Sequence, residues 1–217
     1  MTSTVIELRG VTRVFDGLPA VSQVVLDVAA GETLWLCGSN GSGKSTLLRV
    51  IATALSPTFG TGRVLGLDLR SERDEIRSRL ELLGHQSRFY GDLTALENLR
   101  FVARLYGLGA RRALPALERA GLDEVAGVRT ASFSHGMRQR LALARCLMRD
   151  PELVLLDEPY AGLDVDARVL VDDLLTDVRT RGRTLVIASH EPPPDGSVSR
   201  RVLLEAGRIV AREPVPG

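Results

Sequence analysis

A chain of 217 residues suffices for one compact domain, or one domain with a modest subdomain. Hydrophobic residues at 44% and charged residues at 25% are ordinary for a globular chain and argue against disorder. With 28 basic against 27 acidic side chains the net charge is +1, so no global field draws the chain to nucleic acid or anionic lipid. Contacts with phosphate must be local, and no nucleic-acid partner is expected.

No stretch approaches the roughly 20 consecutive apolar residues that span a bilayer. The start, Met1-Thr2-Ser3-Thr4-Val5-Ile6-Glu7, lacks the basic flank and apolar run of a signal peptide. Cys37 and Cys146 fall in apparent core elements without pairing or metal-ligand spacing, which predicts buried reduced thiols in a cytosolic protein.

Along the chain, apolar runs predict strands at Val5–Leu8, Val24–Val28 and Thr33–Cys37. Lys44 to Leu55 reads as a helix with Leu47, Leu48, Ile51, Ala52 and Leu55 on one face. Thr94-Ala95-Leu96-Glu97 is a capping box, its hydroxyl and carboxylate satisfying end N–H groups reciprocally, and it opens a helix to about Tyr106. A third helix starts after Ser134, with Met137, Leu141, Ala144 and Met148 on one stripe. It stops near Arg149, because Pro151 disfavours helical geometry in Asp150. Strands follow at Leu153–Asp157, Thr184–Ser189, Val202–Glu205 and Arg208–Ala211, with Pro192-Pro193-Pro194-Asp195-Gly196 as a loop.

The runs beginning at Leu34, Leu153 and Leu185 are apolar on both faces, as in parallel strands covered by helices on each side. The earliest strands interleave polar residues and read as a smaller antiparallel layer. The expected fold is α/β, a single domain over residues 1–217. It has a mainly parallel sheet, an N-terminal antiparallel β layer and a mostly helical subdomain inserted at about 71–149.

Gly38-Ser39-Asn40-Gly41-Ser42-Gly43-Lys44-Ser45-Thr46 follows a strand and precedes a helix, the context that the P-loop spacing requires. Gly38, Gly41 and Gly43 let the backbone curl so that N–H groups converge on anionic oxygens, and the helix N-terminus adds its positive end. Lys44 can reach the β- and γ-phosphates, and the Ser45 hydroxyl can ligate Mg²⁺. A Gly-rich turn that binds nothing is the alternative, and the flanking strand and helix weigh against it. A buried strand then delivers Asp157, suited to hold Mg²⁺, and Glu158, suited to activate a water as general base. Read alone, Asp157-Glu158 could merely open the turn at Pro159.

Further motifs carry a family resemblance. Phe133-Ser134-His135-Gly136-Met137-Arg138-Gln139-Arg140 resembles the ABC signature, usually Leu-Ser-Gly-Gly-Gln, and Ala161-Gly162-Leu163-Asp164 looks like the D-loop. Gln86 matches the Q-loop, His190 the switch histidine, and Phe15 the aromatic residue that stacks on adenine. In this order and over nearly the whole chain, they resemble an ABC ATPase. The resemblance implies ATP and Mg²⁺ as ligands, with Glu158, His190, Gln86 and Lys44 catalytic. Ser45, Gln86 and Asp157 would serve the metal.

The resemblance further implies an antiparallel homodimer in the ATP-bound state, each nucleotide lying between one P-loop and the other chain's Ser134 and Gly136. Ser134 is by itself a good N-cap, and the helix behind it presents N–H groups. Two departures stand out: His135 and Met137 replace the usual Gly and Gln, and the stretch after His190 is Pro-rich where the family has a helix.

An integral membrane subunit is the implied partner, docking near Gln86–Leu99, where Phe89 and Tyr90 suit either exposed contacts with it or ordinary packing beneath a loop. The chain would then sit peripherally at the cytoplasmic face of the inner membrane, with no membrane or regulatory domain of its own. Leu83-Gly84-His85-Gln86, the run from Leu93 to Phe101 and the run from Gly136 to Leu141 resemble the ATP-binding subunit of the haem exporter of cytochrome c maturation. Drug or lipid export, and a soluble ABC ATPase acting on DNA or ribosomes, are the alternatives.

Overall fold

The computed structural model describes residues 3–84, 89–161, 163, 165–194 and 196–215, without the side chains of residues 165–167. Gln86, and Gly162 and Asp164 of the D-loop resemblance, lie outside the described residues. The chain divides into two compact units, residues 1–84, 151–159 and 176–217 in the first and residues 85–150 and 160–175 in the second.

In chain order the elements begin with β1 (Thr4–Phe15), β2 (Leu18–Ala29), β3 (Thr33–Cys37), α1 (Lys44–Ile51), β4 (Phe59–Val64) and β5 (Leu67–Asp68). α2 (Arg73–Arg79), β6 (Leu80–Leu83), α3 (Ala95–Leu105), α4 (Ala113–Arg119) and α5 (His135–Arg149) follow. β7 (Leu153–Asp157), α6 (Val165–Thr180), β8 (Thr184–Ser189), β9 (Arg200–Glu205) and β10 (Arg208–Pro214) close the chain.

In the first unit, an antiparallel layer runs β2-β1-β4-β5, as the interleaved polar residues predict. The second sheet runs β10-β9-β3-β8-β7-β6 and is parallel except for β10 at its edge. β7 and β8 are buried at every position, which is why they read as continuous apolar runs. Leu8, Leu26, Leu34, Leu47, Ile51 and Val186 meet in one apolar core that draws on both sheets and on α1. That core holds the carboxyl ends of β3, β7 and β8 in register, from Cys37 opposite Ser189 to Asp157 opposite Ala188.

The second unit has its own core, in which Leu99, Leu117, Phe133, Leu141 and Met148 pack from α3, α4 and α5. The capping box at Thr94 is present in both directions, with bonds of 2.8 and 3.2 Å. α5 ends as expected at Arg149. Asp150 leaves the helical region for φ 51, the left-handed way out open to a residue before proline.

Three expectations need correction. α1 ends at Ile51 rather than Leu55, because Arg73 and Arg77 of α2 donate to the Thr53 carbonyl at 2.7 and 2.8 Å and hold the chain in a turn. Residues 71–84 belong to the first unit rather than to the helical insertion, since Leu80-Glu81-Leu82-Leu83 pairs in parallel with β7. α6 was not expected, although Val171, Leu174, Leu175 and Val178 are buried at helical spacing.

Candidate active site

The loop from Gly38 to Gly43 joins β3 to α1 at the carboxyl end of the parallel sheet. A Cβ on Gly38 would lie 2.3 Å from the Leu204 carbonyl oxygen, and one on Gly43 would lie 2.3 Å from that of Ala20. At these positions neighbouring backbone of β9 and β2 forbids any side chain. Gly41, with φ 79 and open space beside it, needs glycine only for its conformation. The loop is also braced from outside. Gly207, in the β9–β10 turn, donates to the Ser42 carbonyl at 2.9 Å and accepts from the Ser22 N–H at 2.8 Å.

Three features of this loop suit phosphate. α1 starts at Lys44, and its N-cap Gly43 has no side chain to cap it, so the first N–H groups are open to an anion. Ser42 Oγ is buried without a hydrogen-bond partner, an orphan that a phosphate oxygen would satisfy. Lys44 is 5% exposed, and its Nζ turns back into the loop, 2.8 Å from the Gly38 carbonyl and 3.2 Å from that of Ser39. Ser39 and Asn40 form the exposed tip, and Thr46 lies half-buried in α1.

Ser45 Oγ donates to Asp157 Oδ1 at 2.8 Å, which joins the loop to the end of β7. A hydroxyl and a carboxylate oxygen side by side are the hard donors that Mg²⁺ prefers, and that ion takes few protein ligands when phosphates supply the rest. The donor set therefore fits the metal expected from the sequence. Gly84 leaves room for the Asp157 side chain: a Cβ there would stand 3.3 Å from Asp157 Cβ.

Glu158 holds a left-handed backbone, φ 51, which costs a non-glycine residue about 1 kcal/mol or more. Its N–H bonds the Ala188 carbonyl at 2.8 Å, so β8 holds the strained conformation. That turn aims the carboxylate inward. Oε1 is 3.4 Å from Lys44 Nζ and Oε2 is 3.1 Å from His190 Nδ1.

His190 leaves β8 half-exposed, and its flanks are fixed by a contact the sequence reading missed. Ser189 Oγ accepts from Trp35 Nε1 at 3.0 Å and donates to the Glu191 carbonyl at 2.6 Å. The chain after Glu191 forms no helix among the described residues up to β9, in keeping with its prolines. Phe15 ends β1 at 40% exposure, with the Arg13 guanidinium over its ring at 4.5 Å.

In the second unit Ser134 caps α5, accepting from the Met137 N–H at 3.2 Å. On the first turn of that helix His135 is exposed and Gly136 half-buried. Tyr90 is 59% exposed and meets Phe101 edge-on at 5.1 Å. Phe89 is instead half-buried against the helical core, with Arg145 over its ring, so Tyr90 is the more exposed of the two expected docking aromatics.

The profile of the ABC transporter family matches residues 21–161. The chain belongs to the ABC transporter family. The lipoprotein-releasing system ATP-binding protein LolD 1 of Caulobacter vibrioides is 36% identical over 230 aligned positions, spanning 99% of this chain and 98% of that protein. The Nod factor export ATP-binding protein I of Rhizobium johnstonii is 35% identical over 216 positions, 97% of this chain and 70% of its own length. A dimeric post-hydrolysis state of the ATP-binding cassette MJ0796, bound to ADP and Pi, matches with a TM-score of 0.89 at 27% identity, covering 98% of this chain and 99% of that one. This ABC chain is an ATP-binding subunit and an ATPase, with the α/β fold of such cassettes. No helix among its described residues is long and apolar enough to cross a membrane.

Proposed function

We propose that this ABC subunit hydrolyses ATP between two copies of itself and drives a separate integral membrane subunit. The observation that carries the chemistry is the Glu158 carboxylate, held between Lys44 and His190 beside the Ser45–Asp157 pair. Lys44, the Ser42 hydroxyl and the N-terminal N–H groups of α1 hold the β- and γ-phosphates. Glu158 accepts a proton from water as its oxygen bonds to the γ-phosphorus, while the bond to the departing ADP oxygen breaks. Lys44 stabilises charge on the transferred group, and His190 orients Glu158 through Nδ1. Mg²⁺, held by Ser45 and Asp157, would neutralise phosphate charge when bound. Gln86 keeps its proposed place beside the metal and the attacking water on resemblance alone.

The dimeric assembly of MJ0796 supports a homodimer; on the signature resemblance alone, Ser134 and Gly136 of one copy face the nucleotide of the other. Phe15 is proposed to stack on the base with the part of its ring that Arg13 leaves open. Tyr90 and the residues up to Leu99 form the proposed docking segment for the membrane subunit, which places the chain peripherally at the cytoplasmic face. Relatives named for lipoprotein release and Nod factor export support an export-type system. Their names lend no support to the haem resemblance, and the cargo is proposed only as an exported one.

Co-purification from gently solubilised membranes tests the assignment. A polytopic subunit recovered in a stable complex, and stimulating ATP turnover, is the expected result. Recovery with ribosomes or DNA, and no membrane protein, would overturn it.

A further inference from the structure

The second unit contains a buried polar knot that the catalytic machinery does not use. Asn98 of α3 and Thr130 are 2% and 3% exposed, and both bind the main chain of Tyr90. The Tyr90 N–H donates to Asn98 Oδ1 at 2.9 Å, while its carbonyl accepts from Asn98 Nδ2 at 3.0 Å and from Thr130 Oγ1 at 2.9 Å. Asn98 Nδ2 also lies 3.2 Å from the Leu93 carbonyl and 3.0 Å from that of Thr94.

The two segments are zipped further by backbone. Thr130 N–H donates to the Leu93 carbonyl and Ala131 N–H to that of Gly91, each at 3.0 Å, and Ala95 N–H donates to the Val128 carbonyl at 3.1 Å. From Thr130 the chain makes one short turn, buries Phe133 and reaches Ser134, the cap of α5.

We propose that Asn98 and Thr130 are positioning residues, a clasp through which the Tyr90 segment and the Ser134 cap move as one body. The physical ground is that buried hydrogen-bonded groups resist separation, since parting them leaves donors and acceptors unpaired away from water. A partner that shifts Tyr90 therefore shifts Ser134 also. Thr130 is the joint: its side chain holds Tyr90, and its main chain leads directly to the cap. This inference rests on the proposed docking role of the Tyr90 segment and the proposed nucleotide role of Ser134. The clasp itself can be tested without either.

The substitution to make is Thr130→Val, which keeps shape and removes the hydroxyl, with Thr130→Ser as the restoring variant. Hydrogen exchange at the Met137 amide, the group bound by Ser134, reads the link directly. Exchange there about tenfold faster in Thr130→Val, and restored by Thr130→Ser, is expected. Loosening confined to Tyr90, with Met137 unchanged, overturns the proposal.

In a Glu158→Gln background, ATP-driven dimerisation should weaken about tenfold in Thr130→Val, with ATP affinity of the separate chain within about twofold. Gly136→Asp serves as the control. If Gly136→Asp dimerises normally, the nucleotide role of the α5 cap fails, whatever the clasp does. If it does not dimerise while Thr130→Val dimerises like its parent, the clasp fails alone. Should Thr130→Val not fold, loss of dimerisation or of Met137 protection in Thr130→Ser would itself overturn the proposal, because that variant keeps the hydroxyl.

Discussion

Glu158 Oε2 lies 3.1 Å from His190 Nδ1, across the carboxyl ends of two neighbouring parallel strands. The contact exists because Glu158 accepts a left-handed backbone that turns its side chain off the β7 direction, and because Ser189 fixes the start of the His190 loop. A carboxylate so held is placed to take a proton, while the imidazole keeps it from swinging towards solvent.

Replacing Glu158 by Gln preserves the size of the side chain and removes its basicity. ATP binding should persist while turnover falls by about 10²–10⁴-fold, the usual worth of a positioned base. Phosphate release and equilibrium nucleotide binding, measured on the same preparation, check this. Near-normal turnover would sink the assignment of the base.

Lys44 is the only lysine in the sequence, so its side-chain amine can be followed without interference from another. Amine-directed acylation should modify Lys44 slowly, because it is 5% exposed, and saturating ATP should protect it further. Peptide mass spectrometry with and without nucleotide gives the answer. Lys44→Ala should lose ATP affinity; unchanged binding would remove the residue from the phosphate site.

The glycines of the loop should not be equivalent. Gly41→Ala meets open space and carries only the left-handed penalty, about 1–2 kcal/mol. Gly43→Ala carries that penalty and also drives a Cβ against the Ala20 carbonyl, so its loss of stability and of nucleotide binding should be larger. Urea unfolding and ATP titration of the two variants make the comparison. Equal effects would show that the close approach of β2 to the loop does not matter.

Arg79 donates to both carboxylate oxygens of Glu152, at 2.7 and 2.9 Å, and these bonds hold the carboxyl below its ordinary 4.5 against the opposing effect of burial. The unfolded chain then binds this proton more readily, so stability rises with pH through the window. The contribution is complete above 4.5 and is lost as pH falls through the lower folded value. Glu152→Gln should lower the urea midpoint at neutral pH, and the gap from the parent should close in acid. A gap independent of pH would assign the effect to packing.

Much of the site was legible because its signals are local. Gly38 to Thr46 sits between an apolar strand and an amphipathic helix, and Asp157-Glu158 ends a strand buried at every position. The caps at Thr94 and Ser134 are likewise written in three or four consecutive residues. β6 was missed because four residues are too few for periodicity to declare a strand, and its pairing with β7 joins distant parts of the chain. α6 carries its own local signal, since Val171, Leu174, Leu175 and Val178 recur at helical spacing and are buried. For Phe89 the sequence leaves docking and packing beneath the loop open, because an aromatic residue in a loop carries no sign of the core that half-covers it.

The sequence by itself determined the family, the phosphate loop, the helix caps and the residue proposed as base, since each depends on side chains adjacent along the backbone. Only the tertiary structure decided which of these groups meet. The facing of Glu158 with Lys44 and His190, the brace from Gly207 to Ser42 and the clasp of Asn98 and Thr130 on Tyr90 join residues brought together by two separate cores. Such contacts follow from strand order and close packing, and neither is written in any local stretch of the chain.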